Sequence, residues 1–194
     1  MSFHICIYCA SSTKIDPDFE HAAVQVGELI AARGWNLVYG GGGIGLMGAV
    51  SRTVMDLAAD LENASKPAST SKVIGIIPKQ LMELEIGNTD CDELIITENM
   101  RDRKAKMEQR ADAFIILPGG FGTMEELFEI LTHRCLGYHD KPIVILNDKG
   151  FYDPLIEMMA HMYEHKFARE KWKDQYEIVN HVPDVFSTLD HHLL

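Results

Sequence analysis

The sequence predicts an α/β fold, a Rossmann-like doubly wound parallel sheet with helices on both faces. Two observations carry this. Strand-like and helix-like segments alternate from one end of the chain to the other, the pattern that parallel sheets require. Two glycine-rich loops each follow a strand and lead into a helix, as loops at the carboxyl edge of such a sheet do.

The elements follow in order. Residues 4–9 read as a buried strand. Asp16 and Pro17 start a helix, as N-cap and first helical residue, and Gly34 stops it. Residues 36–39 form a second strand. Gly40 to Gly48 form a loop into a helix that runs to about Leu61. Residues 73–77, 93–97 and 113–117 are three further strands, with a helix over about 100–110 between the last two. A long helix begins at Thr123 and runs to about Leu136. Residues 142–146 are a sixth strand, and Asp153-Pro154 opens a helix to about Phe167. A short strand at 177–179 and a small helix from Pro183 finish the chain. The polar stretch 62–72 reads as an exposed loop, and the whole chain, 1–194, reads as one domain.

Composition bounds the function. The 194 residues suffice for one sizeable core. The formal charge of −11 argues against a nucleic-acid polymer or an anionic membrane surface as partner. It permits a small phosphorylated ligand held by a local nest. No apolar run is long enough to span a membrane, and no secretory signal pattern opens the chain, so a cytoplasmic location is expected. Of the four cysteines, Cys6 and Cys9 have redox-motif spacing. They sit in a strand pattern, however, where positions three apart point to opposite faces. Buried reduced thiols are expected.

Chemistry concentrates in Pro118-Gly119-Gly120-Phe121-Gly122-Thr123-Met124-Glu125-Glu126. Three glycines between a strand and a helix let backbone N–H groups gather around a small anion, and Glu126 places an acid beside them. Thr123 and Glu126 also fit a capping box. A helix that needs only a cap does not need three glycines. The absence of a following Gly-Lys-Ser/Thr excludes a Walker loop. The first loop contains a formal GxGxxG at Gly43, Gly45 and Gly48. The next strand ends in Ile76-Ile77-Pro78-Lys79 and offers no acid for a ribose hydroxyl, so a dinucleotide is not expected. Close backbone approach to a ligand held mainly elsewhere is the favoured reading. Arg103 shares a helix face with Met107 and Arg110 and is the cation best placed to reach a ligand at the second loop. Arg101, Lys106 and their neighbours read as a solvated face.

His161-Met162-Tyr163-Glu164-His165 matches the HxxEH zinc-peptidase pattern. The apolar side of its helix carries Leu155, Met158, Met159 and Met162, which turns the two histidines and Glu164 away from any cleft. No catalytic metal is expected.

With Pro118–Glu126 and Met100-Arg101-Asp102-Arg103-Lys104 both present, the chain resembles the LOG ("Lonely guy") family. These are cytokinin-activating nucleoside 5′-monophosphate phosphoribohydrolases, formerly labelled lysine decarboxylases. The resemblance extends over Cys9-Ala10-Ser11-Ser12, Gly45-Leu46-Met47-Gly48, 73–78 and 137–142. It implies that Arg103 and Glu126 are catalytic, and that Lys104, Gly120, Phe121, Gly122, Thr123, Met124, Glu125 and Thr132 contact substrate. Glu85 matches a substrate-binding glutamate, although Glu83 and Leu84 depart from the usual Pro and Arg. A longer loop over 59–71 also departs from the family. Gly119, with Gly45 and Met47 of the first loop, completes the expected binding set.

The implied reaction is hydrolysis of the N-glycosidic bond of a purine nucleoside 5′-monophosphate, with adenine or an N6-prenylated adenine as base. No cofactor is implied, and a homodimer or larger homo-oligomer with the site near the interface is. In this reading Arg103 binds sugar hydroxyls or phosphate, or assists the departing base. The helix N-terminus should favour the charged form of Glu126. Two other readings compete: a nucleotide-binding protein without turnover, and a pyridoxal-phosphate lysine decarboxylase, for which Lys104 is the one lysine to consider.

Overall fold

A computed structural model describes residues 2–63 and 71–194. Seven parallel strands form a single sheet in the order β4-β3-β2-β1-β5-β6-β7. They are β1 (His4–Tyr8), β2 (Asn36–Tyr39), β3 (Val73–Pro78), β4 (Glu93–Thr97), β5 (Ala113–Ile116), β6 (Ile143–Leu146) and β7 (Glu177–Val179). The chain builds outward from β1 to β4, then returns to pair β5 with β1. The order therefore reverses beside β1, and a crevice opens there at the carboxyl ends of the strands.

Among the described residues, six α-helices cover the two faces: α1 (Asp18–Ala32), α2 (Gly45–Asn63), α3 (Met100–Arg110), α4 (Phe121–Leu136), α5 (Asp153–Glu164) and α6 (Val182–Leu193). Ile5, Ile7, Leu37 and Tyr39 point to one face. There they meet Val26 and Ile30 of α1, Val50 and Val54 of α2, and Val185 and Phe186 of α6. Cys6, Tyr8, Val38 and Phe114 point to the other, against Met107 of α3, Leu127 and Ile130 of α4, and Met159 and Tyr163 of α5. Strands buried on both faces read as apolar runs, as β5 and β6 do throughout and β1 and β2 do after their first residues, His4 and Asn36. Each fully buried aliphatic side chain contributes about 1.5–3 kcal/mol. Cys6 and Cys9 fall in opposite core layers as free thiols, as the alternation of a strand requires.

Asp16 does serve the start of α1. Its carboxylate accepts from the Asp18 N–H at 2.9 Å, while Pro17 takes the N-cap position. Gly34 and Gly137 adopt positive φ just beyond α1 and α4, where a side chain would be strained. Helix α5 ends at Glu164, short of Phe167, and α2 runs through Asn63. Residues 59–63 of the expected loop are thus helical, and 64–70 lie outside the described residues.

The one consequential shift is at α4. It begins at Phe121 with Gly120 as an extended N-cap, two residues before the expected Thr123. The capping box therefore does not form. Thr123 is the third residue of the helix, no side chain caps its start, and Glu126 bonds elsewhere.

Candidate active site

The loops after β1, β2 and β5 meet in the crevice. Backbone bonds lock them together. The Leu117 N–H donates to Tyr8 O at 2.9 Å, the Ala10 N–H to Pro118 O at 3.2 Å, and the Leu46 N–H to Ala10 O at 3.0 Å. The Tyr152 hydroxyl donates to Leu117 O at 2.7 Å and pins β5 from its other side. The result is a cavity of about 250 Å³. Gly40 and Met47 line it from the first glycine loop, and Gly120, Phe121, Gly122, Thr123 and Glu126 line it from the second. Arg103 and Glu85 complete its polar wall. Both glycine loops thus face one pocket.

Arg103 and Glu126 form its buried floor, 5% and 6% exposed. Helix α3 starts where the Asn99 side chain accepts from the Asp102 N–H at 3.0 Å. That start directs Arg103 inward one turn later. Its Nε donates to Ile76 O at 3.1 Å and its Nη2 to Gly40 O at 3.3 Å. Its Nη1 lies 3.3 Å from Glu126 Oε1. Nη1 also donates to Met100 Sδ at 3.8 Å, so of the five N–H donors of a guanidinium one remains for a ligand. A Cβ on Gly40 would stand 2.0 Å from Arg103 Nη2, so a larger residue there would displace the guanidinium from this position.

Glu126 departs from expectation in its charge. Burial pushes its carboxyl up to about 7, Arg103 opposes that shift, and the neighbouring Glu125 and Glu85 add to it. The helix terminus does not win. With α4 starting at Phe121, Glu126 lies in the second turn, and the dipole effect fades within the first.

The start of α4 offers free donors. Met124 is the first residue whose N–H bonds within the helix, to Gly120 O at 3.0 Å. The N–H groups of Phe121, Gly122 and Thr123 have no intrahelical acceptor. The glycines here differ in their reasons. A Cβ on Gly119 would stand 2.1 Å from Thr123 Oγ1, so packing demands that glycine. On Gly120 or Gly122 it would meet nothing within 4 Å, and neither has positive φ. The fold does not need glycine at these two positions, whereas a ligand against the backbone does.

The first loop is packed against protein. The Gly43 N–H donates to both Glu85 O and Ile86 O, and the Asn88 N–H donates to Gly41 O at 2.8 Å. This clasp holds Glu85 at the pocket wall, where its Oε2 is buried without a hydrogen-bond partner. A Cβ on Gly45 would press on the Ser11 and Ala10 carbonyls, and Gly45 itself lines a neighbouring cleft.

Five other expected contacts also lie outside the pocket. Lys104 pairs with Glu125, and with Glu129 at 2.8 Å, bracing α3 against α4. Burial pulls its ammonium down, but the two carboxylates outweigh burial and raise it. Met124 packs into the core, and Thr132 lines an apolar groove with Phe128, Met159 and Trp172. Gly119 stands behind Thr123. Arg110 is exposed and forms a bidentate pair with Glu93 at 2.9 Å, rather than continuing the Arg103 face inward. Conversely, Tyr8, Ser11, Ser12 and Gly40 line the pocket without having been singled out. The Cys9–Ser12 run and the glycine directly after β2 were the available signals.

Residues 47–189 match the family described as "Possible lysine decarboxylase". The cytokinin riboside 5′-monophosphate phosphoribohydrolase LOG of Oryza sativa subsp. japonica is 43% identical over 86% of this chain and 64% of its own length. The chain belongs to the LOG family. A probable rice relative of the same description is 45% identical over 79% of this chain and 64% of its own. A Mycobacterium marinum phosphoribohydrolase is 38% identical over 93% of this chain and 89% of its own. The chain thus spans about 64% of the length of the rice LOG proteins.

The fold is shared more widely. A molybdenum cofactor binding protein from Rippkaea orientalis superposes with a TM-score of 0.72 at 20% identity, covering 100% of this chain and 99% of its own. The older label of the LOG family does not fit this site. Pyridoxal-phosphate chemistry needs a Schiff-base lysine whose amine can lose its proton. Among the described residues no lysine lines the pocket, and Lys104 is held protonated between two carboxylates outside it.

Proposed function

We propose that this chain hydrolyses the N-glycosidic bond of a purine nucleoside 5′-monophosphate, with AMP and its N6-prenylated forms as the substrate class. One observation carries the reading: a buried carboxylate, Glu126, stands beneath the free amides of α4, beside two glycines that the fold itself does not require.

The phosphate binds the N–H groups of Phe121, Gly122 and Thr123 at the start of α4. That fixes the ribose over Glu126. As the bond from C1′ to the base nitrogen breaks, its electron pair leaves with the base and positive charge grows on the sugar. The Glu126 carboxylate stabilises this charge and takes a proton from the attacking water. The water oxygen bonds to C1′, and the proton passes on to the released base. Arg103 orients the Glu126 carboxylate and offers its remaining donor to the sugar. Glu85, with an unpaired buried oxygen, accepts from a ligand hydroxyl or amine. Lys104, Glu125, Met124 and Thr132 act from behind the wall. A second copy of the chain is the proposed partner.

Chromatography of free base from AMP and N6-isopentenyl-AMP tests this. We expect base release from at least one substrate and a loss of roughly 10²–10⁴-fold in Glu126→Ala. Saturable AMP binding without base release, or undiminished release by the variant, would overturn the reading.

A further inference from the structure

The HxxEH stretch has no part in the pocket. No residue of α5 lines it, and the face of α5 that meets the core carries Met159 and Tyr163. On the opposite face His161, Glu164 and His165 are all exposed. One ligand atom from each lies within 4.8 Å of the other two. The two imidazole rings are 4.2 Å apart between centroids, and His161 Nδ1 is 3.8 Å from a Glu164 carboxylate oxygen.

We propose that His161, Glu164 and His165 form a surface site for a divalent transition-metal ion of the zinc class, separate from the catalytic pocket. Spacings of i, i+3 and i+4 stack the three side chains on one helical stripe. Zinc bonds of about 2.0–2.1 Å to nitrogen or oxygen place neighbouring tetrahedral ligands about 3.4 Å apart. The observed spread of up to 4.8 Å must close to that by side-chain rotation, which exposed side chains are free to make. Two imidazoles and one carboxylate suit zinc, copper or nickel and do not suit magnesium, which prefers an all-oxygen shell. The site has three protein ligands and leaves the fourth position to water.

Two further features favour a cation here. Helix α5 ends at Glu164 with His165 as its C-cap, so the negative end of the helix dipole points at the site. The chain as a whole carries a formal charge of −11. The bland alternative is a solvated polar face on which His161 and Glu164 form only a loose pair.

The site and this alternative differ in what a titration sees. Isothermal calorimetry of the full chain with zinc chloride is expected to show one equivalent that His161→Ala/His165→Ala abolishes, and that Glu164→Gln weakens by roughly tenfold. Magnesium chloride should give no such equivalent. All three positions are exposed, so the variants should fold as the parent does, which circular dichroism checks. Base release by the double variant should match the parent. The proposal fails if zinc gives no such equivalent, or if that equivalent survives the double substitution at unchanged affinity. Any zinc binding that Cys91 and Cys135 contribute persists in the variants and so separates itself from this site.

Discussion

At the scale of single residues, Glu126 governs the chemistry, and its environment makes a pH prediction. Burial raises its carboxyl to about 7, against the pull of Arg103 and with a push from Glu125. If the carboxylate is the working form, kcat/KM rises about tenfold per pH unit on the acid side and levels above about 7. The substrate phosphate titrates near 6 and contributes its own curvature. The comparison with Glu125→Gln removes that ambiguity. Deleting one negative neighbour favours ionisation, so the acid limb should move to lower pH while the phosphate limb stays. A pH–rate series for both proteins on the same substrate decides it. An unmoved limb, or one displaced upward, would show that Glu125 does not act on Glu126 as described.

At the scale of elements, the start of α4 shows what the sequence could and could not disclose. Strand–helix alternation was legible, because buried parallel strands must be apolar and helix ends need glycine, proline or a cap. The pairing of Arg103 with Glu126 was legible through family resemblance. The helix start was misread, because Thr123 and Glu126 satisfy the capping-box spacing. Nothing local reveals that Gly120 already supplies an extended N-cap. The burial of Glu126 and the clasp of Glu85 onto the first glycine loop were not legible either. Both depend on which strands become neighbours.

The glycine geometry yields the test for this element. Alanine at Gly122, the second residue of α4, meets no protein atom within 4 Å and replaces the poorest helix former but proline. Gly122→Ala should hold or raise the melting temperature, by the equivalent of up to about 1 kcal/mol. It should also raise KM for AMP roughly tenfold or more, because its methyl enters the space assigned to phosphate. Unaltered KM, or a destabilised fold, would remove the argument that the ligand requires this glycine.

At the scale of the whole molecule, the site is placed by topology, and folding tolerates an ionisable group that its core disfavours. The reversal of strand order beside β1 brings together loops from distant parts of the sequence, and the two core layers bury what lies beneath them. Glu126 is carried into that interior by Leu127 and Ile130 on the same helix. Its folded-state value, about 7, lies above its ordinary 4.5. The protonated form is therefore the one the fold prefers. The associated stability is fully present below about 4.5 and is lost as pH rises through about 7. The difference corresponds to on the order of 3 kcal/mol. The chain's many other carboxylates also make its stability vary with pH, and a formal charge of −11 adds self-repulsion. Those contributions cancel between the parent and Glu126→Gln, since glutamine keeps the shape and an acceptor for Arg103. Urea unfolding of both proteins from pH 5.5 to 8 should show the parent losing stability relative to the variant as pH rises, most steeply at the acid end of this range and levelling above about 7. A difference that stays flat across this range would mean that Glu126 is solvated well enough to ionise freely. The same finding would withdraw the pH–rate prediction, because both depend on one buried proton.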